Sequence, residues 1–120
     1  MFILNLTQHH ATPDQIEVGV VEPADKAAVQ QLLTFEELAA REVVASRAAT
    51  LADLAAGSDY IAAMIGGAPF LMAPLERALR ERGVTPLYSF TRREASEVPD
   101  GQGGVRKTQV FRHVGFIEAV

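Results

Sequence analysis

A chain of 120 residues, 48% of them apolar, has the size of one domain with one buried core, so residues 1–120 are read as a single domain. Its net charge of −4 argues against nonspecific binding along duplex DNA, but leaves room for a small anion held by a local basic patch. There is no cysteine for disulfides or thiolate metal sites. No stretch approaches the ~20 apolar residues of a membrane span, and the first residues lack the pattern of a signal peptide. The expectation is a cytoplasmic protein without membrane contact.

Phe2 to Leu6, FILNL, is short and apolar and turns polar at once, as a buried strand does on reaching its end. Thr12-Pro13-Asp14-Gln15 combines an N-cap residue, a proline suited to the first helical position and a glutamine placed for a capping box. Gly19 closes that turn. Pro23-Ala24-Asp25 leads into a helical pattern with Val29, Leu32 and Leu33 on one face. Thr34-Phe35-Glu36-Glu37 matches a second capping box, and good helix formers follow as far as Gly57. There Val44, Ala48, Leu51, Leu54 and Ala55 form the expected buried stripe.

Tyr60 to Ile65, YIAAMI, sits between Ser58-Asp59 and Gly66-Gly67 and reads as a strand buried on both faces. The next pattern is helical, with Phe70, Leu71, Leu75, Ala78 and Leu79 inward and Gly83 at its end. Pro74 either is the first residue of the regular helix or kinks a helix that begins near Pro69. Thr85 to Arg92 is a third strand. Pro99-Asp100-Gly101 with Gly103-Gly104 makes a turn, after which VRKTQVFRHVGFIE returns antiparallel near an edge. Strands alternating with helices predict an α/β domain with a mainly parallel sheet and an antiparallel C-terminal strand.

In such a sheet the carboxyl ends of the parallel strands share one side, where ligands bind. Three polar clusters follow the three predicted parallel strands, and this topology makes them converge. They are Thr7-Gln8-His9-His10, then Gly66-Gly67, then Ser89 with Thr91, Arg92 and Arg93. Gly66-Gly67 is either a tight strand-to-helix turn or a backbone cradle for an anion; it lacks the lysine of a P-loop and the spacing of a dinucleotide fingerprint. Arg92-Arg93 is either a solvated face or a phosphate clamp. His9 and His10 are capping or surface histidines, or proton-transfer groups; neighbours on an extended segment point apart, which argues against one shared metal. His113 reads as a buried structural histidine.

MFILNLTQHHAT, followed by AAMIGGAPFLMAPLERAL, resembles single-domain CARF proteins, the CRISPR-associated Rossmann-fold sensors whose stand-alone members include small ring nucleases. The resemblance covers the organisation of most of the chain. It implies a Rossmann-like three-layer domain and a homodimer that binds a cyclic oligoadenylate across its two-fold axis. Some members cleave that ring without metal, by attack of a ribose 2′-hydroxyl on the adjacent phosphate. On this resemblance Thr7 to His10 correspond to the first ligand loop and Gly66-Gly67 to the Gly-Gly turn. Ala68-Pro69 stands where family members often carry a hydroxyl and a basic residue. The expected ligand set is Thr7, Gln8, Gly66, Gly67, Ser89, Arg92 and Arg93, with His9 and His10 as catalytic candidates and neither metal nor cofactor. Two other classes stay open: a non-enzymatic interaction or regulatory protein on the same scaffold, and an enzyme for a nucleotide or sugar phosphate.

Overall fold

A computed structural model describes residues 2–57 and 60–120; Ser58-Asp59, read from sequence as the boundary before the second strand, lie outside the described residues. The elements in chain order are β1 (Phe2–Leu6), α1 (Pro13–Glu17), β2 (Val20–Val21), α2 (Lys26–Leu33), α3 (Arg41–Ala55), β3 (Tyr60–Ile65), α4 (Pro69–Glu81), β4 (Thr85–Pro99) and β5 (Val105–Glu118). The five strands form one sheet in the order β2-β1-β3-β4-β5. The first four run parallel and β5 pairs antiparallel to β4. The mainly parallel α/β reading therefore holds, with β3 inside the sheet.

Alternation along the strands separates two unequal faces. Leu4, Leu6, Ala63 and Ile65 face Val29 and Leu33 of α2, Ala48, Leu51, Ala52 and Ala55 of α3, and Leu71, Leu75 and Leu79 of α4. Each fully buried leucine there is worth about 1.5–3 kcal/mol. This face supplies most of the core. Among the described residues the other face carries a smaller apolar cluster, Ile3, Val20, Ala62 and Met64, with Ala11, Leu87 and Phe116 packed against it.

Several local expectations hold. Thr12 and Gln15 make the reciprocal capping box, and Asp25 caps α2 through the Ala28 amide at 3.0 Å. Helix α4 begins at Pro69 and runs through Pro74, so Pro74 lies inside the helix and does not open it. Others are corrected. Thr34 opens no helix: it ends α2, and its hydroxyl donates back to the Gln30 carbonyl at 2.7 Å. The following helix starts at Arg41 instead. On α3 the buried stripe takes Ala52 in place of Leu54, which is 45% exposed, because 48, 51, 52 and 55 lie on one helical face. Phe70, expected inward on α4, is 55% exposed and packs edge-on against Phe35. Ile61 is exposed too, so β3 is not buried on both faces throughout.

The fourth strand is the largest departure. Only Ala62, Ala63 and Met64 of β3 pair with it, at Thr85, Pro86 and Leu87. Beyond them β4 continues to Pro99, paired with β5 alone, and the two form an arm. Polar partners across the hairpin hold it, Ser96 with Thr108 at 2.8 Å and Arg112 with Glu94 at 3.0 Å. The third polar cluster thus lies along a continuing strand rather than after its end. A bulge between Phe90 and Thr91 shifts the register, so that Thr91 faces His113 where regular pairing would give Val114. That shift turns His113 to the same face as Ser89 and Phe116.

Candidate functional site

The end of β1 is built around a buried asparagine in an otherwise apolar strand. Asn5 has no exposed surface. Its Nδ2 donates to the His9 carbonyl at 2.8 Å and to Glu22 Oε1 at 2.9 Å. Its Oδ1 accepts the Thr7 amide at 2.9 Å and the Thr7 hydroxyl at 2.6 Å. Both donors and both lone pairs are used. Lys26 adds bonds from Nζ to the carbonyls of Thr7 (2.6 Å) and His9 (2.8 Å) and lies 3.3 Å from Glu22 Oε1. Glu22 Oε2 accepts the Ala11 amide at 2.6 Å. Burial alone would raise the Glu22 carboxyl, but the Ala11 amide, Lys26 and Asn5 outweigh it and hold the group below the usual glutamate value. Residues 7–11 are therefore clamped from below, while the rings of His9 and His10 stay exposed.

The capping box of α1 extends into a second chain of bonds. Gln15, buried, accepts the Thr12 amide at Oε1 (3.0 Å) and donates from Nε2 to Ser89 Oγ (3.1 Å). Ser89 Oγ is 2.8 Å from His113 Nδ1, and the imidazole packs on Phe116 with ring centroids 4.7 Å apart. His113 is half-buried rather than buried, and its partner is a hydroxyl. Nearby, Tyr88 donates to Glu76 Oε2 at 2.6 Å. Burial, then the Glu76 hydrogen bond and charge, push its phenol up to about 12, so it stays neutral.

After β3 the chain turns through Gly66 and Gly67. Gly67 has φ +147°, a conformation that side chains rarely adopt, and a Cβ on Gly66 would lie 3.6 Å from Thr7 Cγ2. The N-cap of α4, Ala68, makes no side-chain cap bond.

These pieces meet at one open cleft of about 880 Å³. Thr7, Gln8, His9 and His10 line one wall, Gly66 and Gly67 the floor beside Met64 and Ile65, and Ser89, Thr91 and Phe111 the arm side. Seven of the nine residues expected from sequence are brought together. Arg92 and Arg93 do not line the cleft. Arg93 lies opposite Phe111 and over its ring, 5.3 Å from the centroid. Arg92 lies opposite Arg112, and alternation sends it to the other side of the arm. Asn5, Gln15, Glu22, Lys26 and His113 were not expected in the site. The one visible signal was an asparagine inside FILNL.

Two other grooves, of about 790 and 740 Å³, flank residues 34–40 and include Phe35 and the fully exposed Leu38. Among the described residues no group of three or more His, Asp or Glu is arranged to hold a metal ion. No described helix is long and apolar enough to cross a membrane. Compared with known proteins, residues 1–117 match the family described as "Uncharacterized protein MJ1673 family". No curated protein and no solved structure matches the chain.

Proposed function

The chain belongs to the MJ1673 family, and we propose that it is a Rossmann-like, CARF-type receptor that binds a cyclic oligoadenylate in this cleft and cleaves it without metal. The observation that carries the reading is the position of the cleft. From β1 the chain moves to one side to form β2 and then to the other to form β3. The carboxyl ends of β1 and β3 therefore flank a topological switch point, where open parallel sheets bind their ligands. The lining suits a nucleotide. Phe111 offers a ring for a base to stack on, a contact worth ~1–3 kcal/mol. Thr7, Gln8 and Ser89 offer hydroxyls and an amide to ribose and phosphate. Arg93, over the ring of Phe111 beside the cleft, supplies positive charge that an acidic chain has to concentrate locally.

A cleft of 880 Å³ suits part of such a ring rather than the whole. A second copy across a two-fold axis supplies the remainder and gives a symmetric ligand a symmetric site. Edge strand β5, with Val105, Val110, Val114 and Ile117 exposed, offers apolar surface for that partner. The same exposed arm favours a second reading, an interaction protein that captures a protein partner and leaves the cleft unused. As a messenger receptor the protein would act in the cytoplasm.

Titration calorimetry with cyclic tetra-adenylate and cyclic hexa-adenylate separates these readings. Receptor function gives saturable heat for one of the rings at one ring per two chains, and a weaker linear counterpart. Absence of heat with both rings leaves the interaction protein. Binding of one ring per chain contradicts the shared site.

A further inference from the structure

The hydrogen bonds around Ser89 join Gln15, Ser89 and His113 in one chain. Gln15 Oε1 is committed to the Thr12 amide, so Nε2 is the end that donates to Ser89 Oγ. That bond takes one lone pair of Oγ and keeps the hydroxyl proton available for His113 Nδ1, 2.8 Å away, where the His113 tautomer decides which atom donates. With Nδ1 accepting, neutral His113 carries its own proton on Nε2. The other lone pair of Oγ is left for the cleft that Ser89 lines. A proton arriving on Oγ from the cleft releases the hydroxyl proton to Nδ1.

We infer that Ser89 and His113 form a proton relay that accepts the 2′-hydroxyl proton of a ribose phosphodiester bound in the cleft. The inference rests on the ring-cleavage reading above and assigns its base. In the step, the 2′-hydroxyl proton passes to Ser89 Oγ as the Ser89 proton passes to His113 Nδ1. The 2′-oxygen forms its bond to phosphorus while the bond from phosphorus to the 5′-oxygen breaks. The 5′-oxygen leaves with the electron pair and takes a proton from solvent at the open cleft. The products are a 2′,3′-cyclic phosphate and a free 5′-hydroxyl, and His113 returns its proton to the solvent that supplied the one on the 5′-oxygen. Protons and electrons balance without a metal or an added reactant.

His113 is better placed for this than the two histidines singled out from sequence. Among the described residues neither His9 nor His10 has a hydrogen bond to its ring, whereas His113 is fixed by Ser89 on one side and Phe116 on the other. A base already held in position loses less freedom on reaching the transition state. Gln15 is the positioning residue, since its Nε2 holds Ser89 Oγ beside His113.

Single-turnover cleavage of labelled cyclic tetra-adenylate in EDTA tests the relay in wild type, Ser89→Ala, His113→Phe, the double variant and Ser89→Thr. A relay predicts that each of the first two variants slows cleavage by roughly 10²–10⁴-fold with little change in ring affinity. The double variant is then no slower than either single one, and Ser89→Thr, which keeps the hydroxyl, retains most of the rate. Wild-type cleavage by His113→Phe overturns the relay and leaves ring cleavage standing. Intact rings with wild type overturn both. Nitrogen-15 NMR of the imidazole gives a readout that needs no turnover: neutral His113 with its proton on Nε2 supports the relay, and a proton on Nδ1 overturns it.

Discussion

The buried carboxamide of Asn5 donates to the carboxylate of Glu22 across 2.9 Å and 17 positions of sequence. It joins the end of β1 to the segment that leads into α2, and the cleft loop hangs from that joint. Asn5→Ala would leave the Glu22 carboxylate, the His9 carbonyl and the Thr7 amide each short of a partner. A hydrogen bond to a charged group contributes roughly 1.5–3 kcal/mol, so a loss of at least that size is expected in urea unfolding. A loss within the error of the wild-type value would mean that the joint carries no stability.

The same joint makes a prediction about pH. The folded Glu22 carboxyl lies below its ordinary value, so the unfolded chain takes up a proton there first. The stabilisation is complete above the unfolded value of about 4.3 and is lost as pH falls through the folded one. Glu22→Gln should flatten this acid limb of the curve of unfolding free energy against pH. Parallel curves for the two proteins would show that another carboxylate sets the limb.

At the cleft floor the two glycines should behave differently. Gly67 holds φ +147°, so Gly67→Ala forces an alanine into a glycine conformation and should cost about 1–3 kcal/mol. Gly66→Ala meets only an ordinary contact, 3.6 Å to Thr7 Cγ2, and should fold normally. Thermal melts of both variants check this, and equal midpoints would contradict it.

The arginines separate as well. Arg93 lies over the ring of the lining residue Phe111, so Arg93→Ala should weaken cyclic oligoadenylate binding through lost positive potential, by up to about tenfold. Arg92→Ala, on the far side of the arm, should leave it nearly unchanged. Calorimetry on both variants decides, and equal losses would require the arm to turn in the complex.

Much of this was written locally. The capping box at Thr12 and Gln15, the apolar run of Tyr60 to Ile65 and the Gly66-Gly67 turn are short patterns whose physics needs no distant partner. What could not be read depends on partners far away in the chain. Val20–Val21 is too short to show a period. Thr34 carries the right letters for a cap, but its hydroxyl serves Gln30 and Gln8 instead. The outer part of β4 shows no alternation because Glu94 and Ser96 find their partners on β5. The Ser89–His113 pair was hidden twice over, since it spans the hairpin and depends on the bulge after Phe90.

Amide NMR during titration with cyclic tetra- and hexa-adenylate tests most directly whether the β1/β3 cleft is the ligand site. The account predicts that one of these rings moves Thr7, Gln8, Gly66, Gly67 and Ser89 together, with the 34–40 grooves undisturbed. Shifts confined to residues 34–40 or to the outer arm, with Gly66 and Gly67 unmoved, would contradict it.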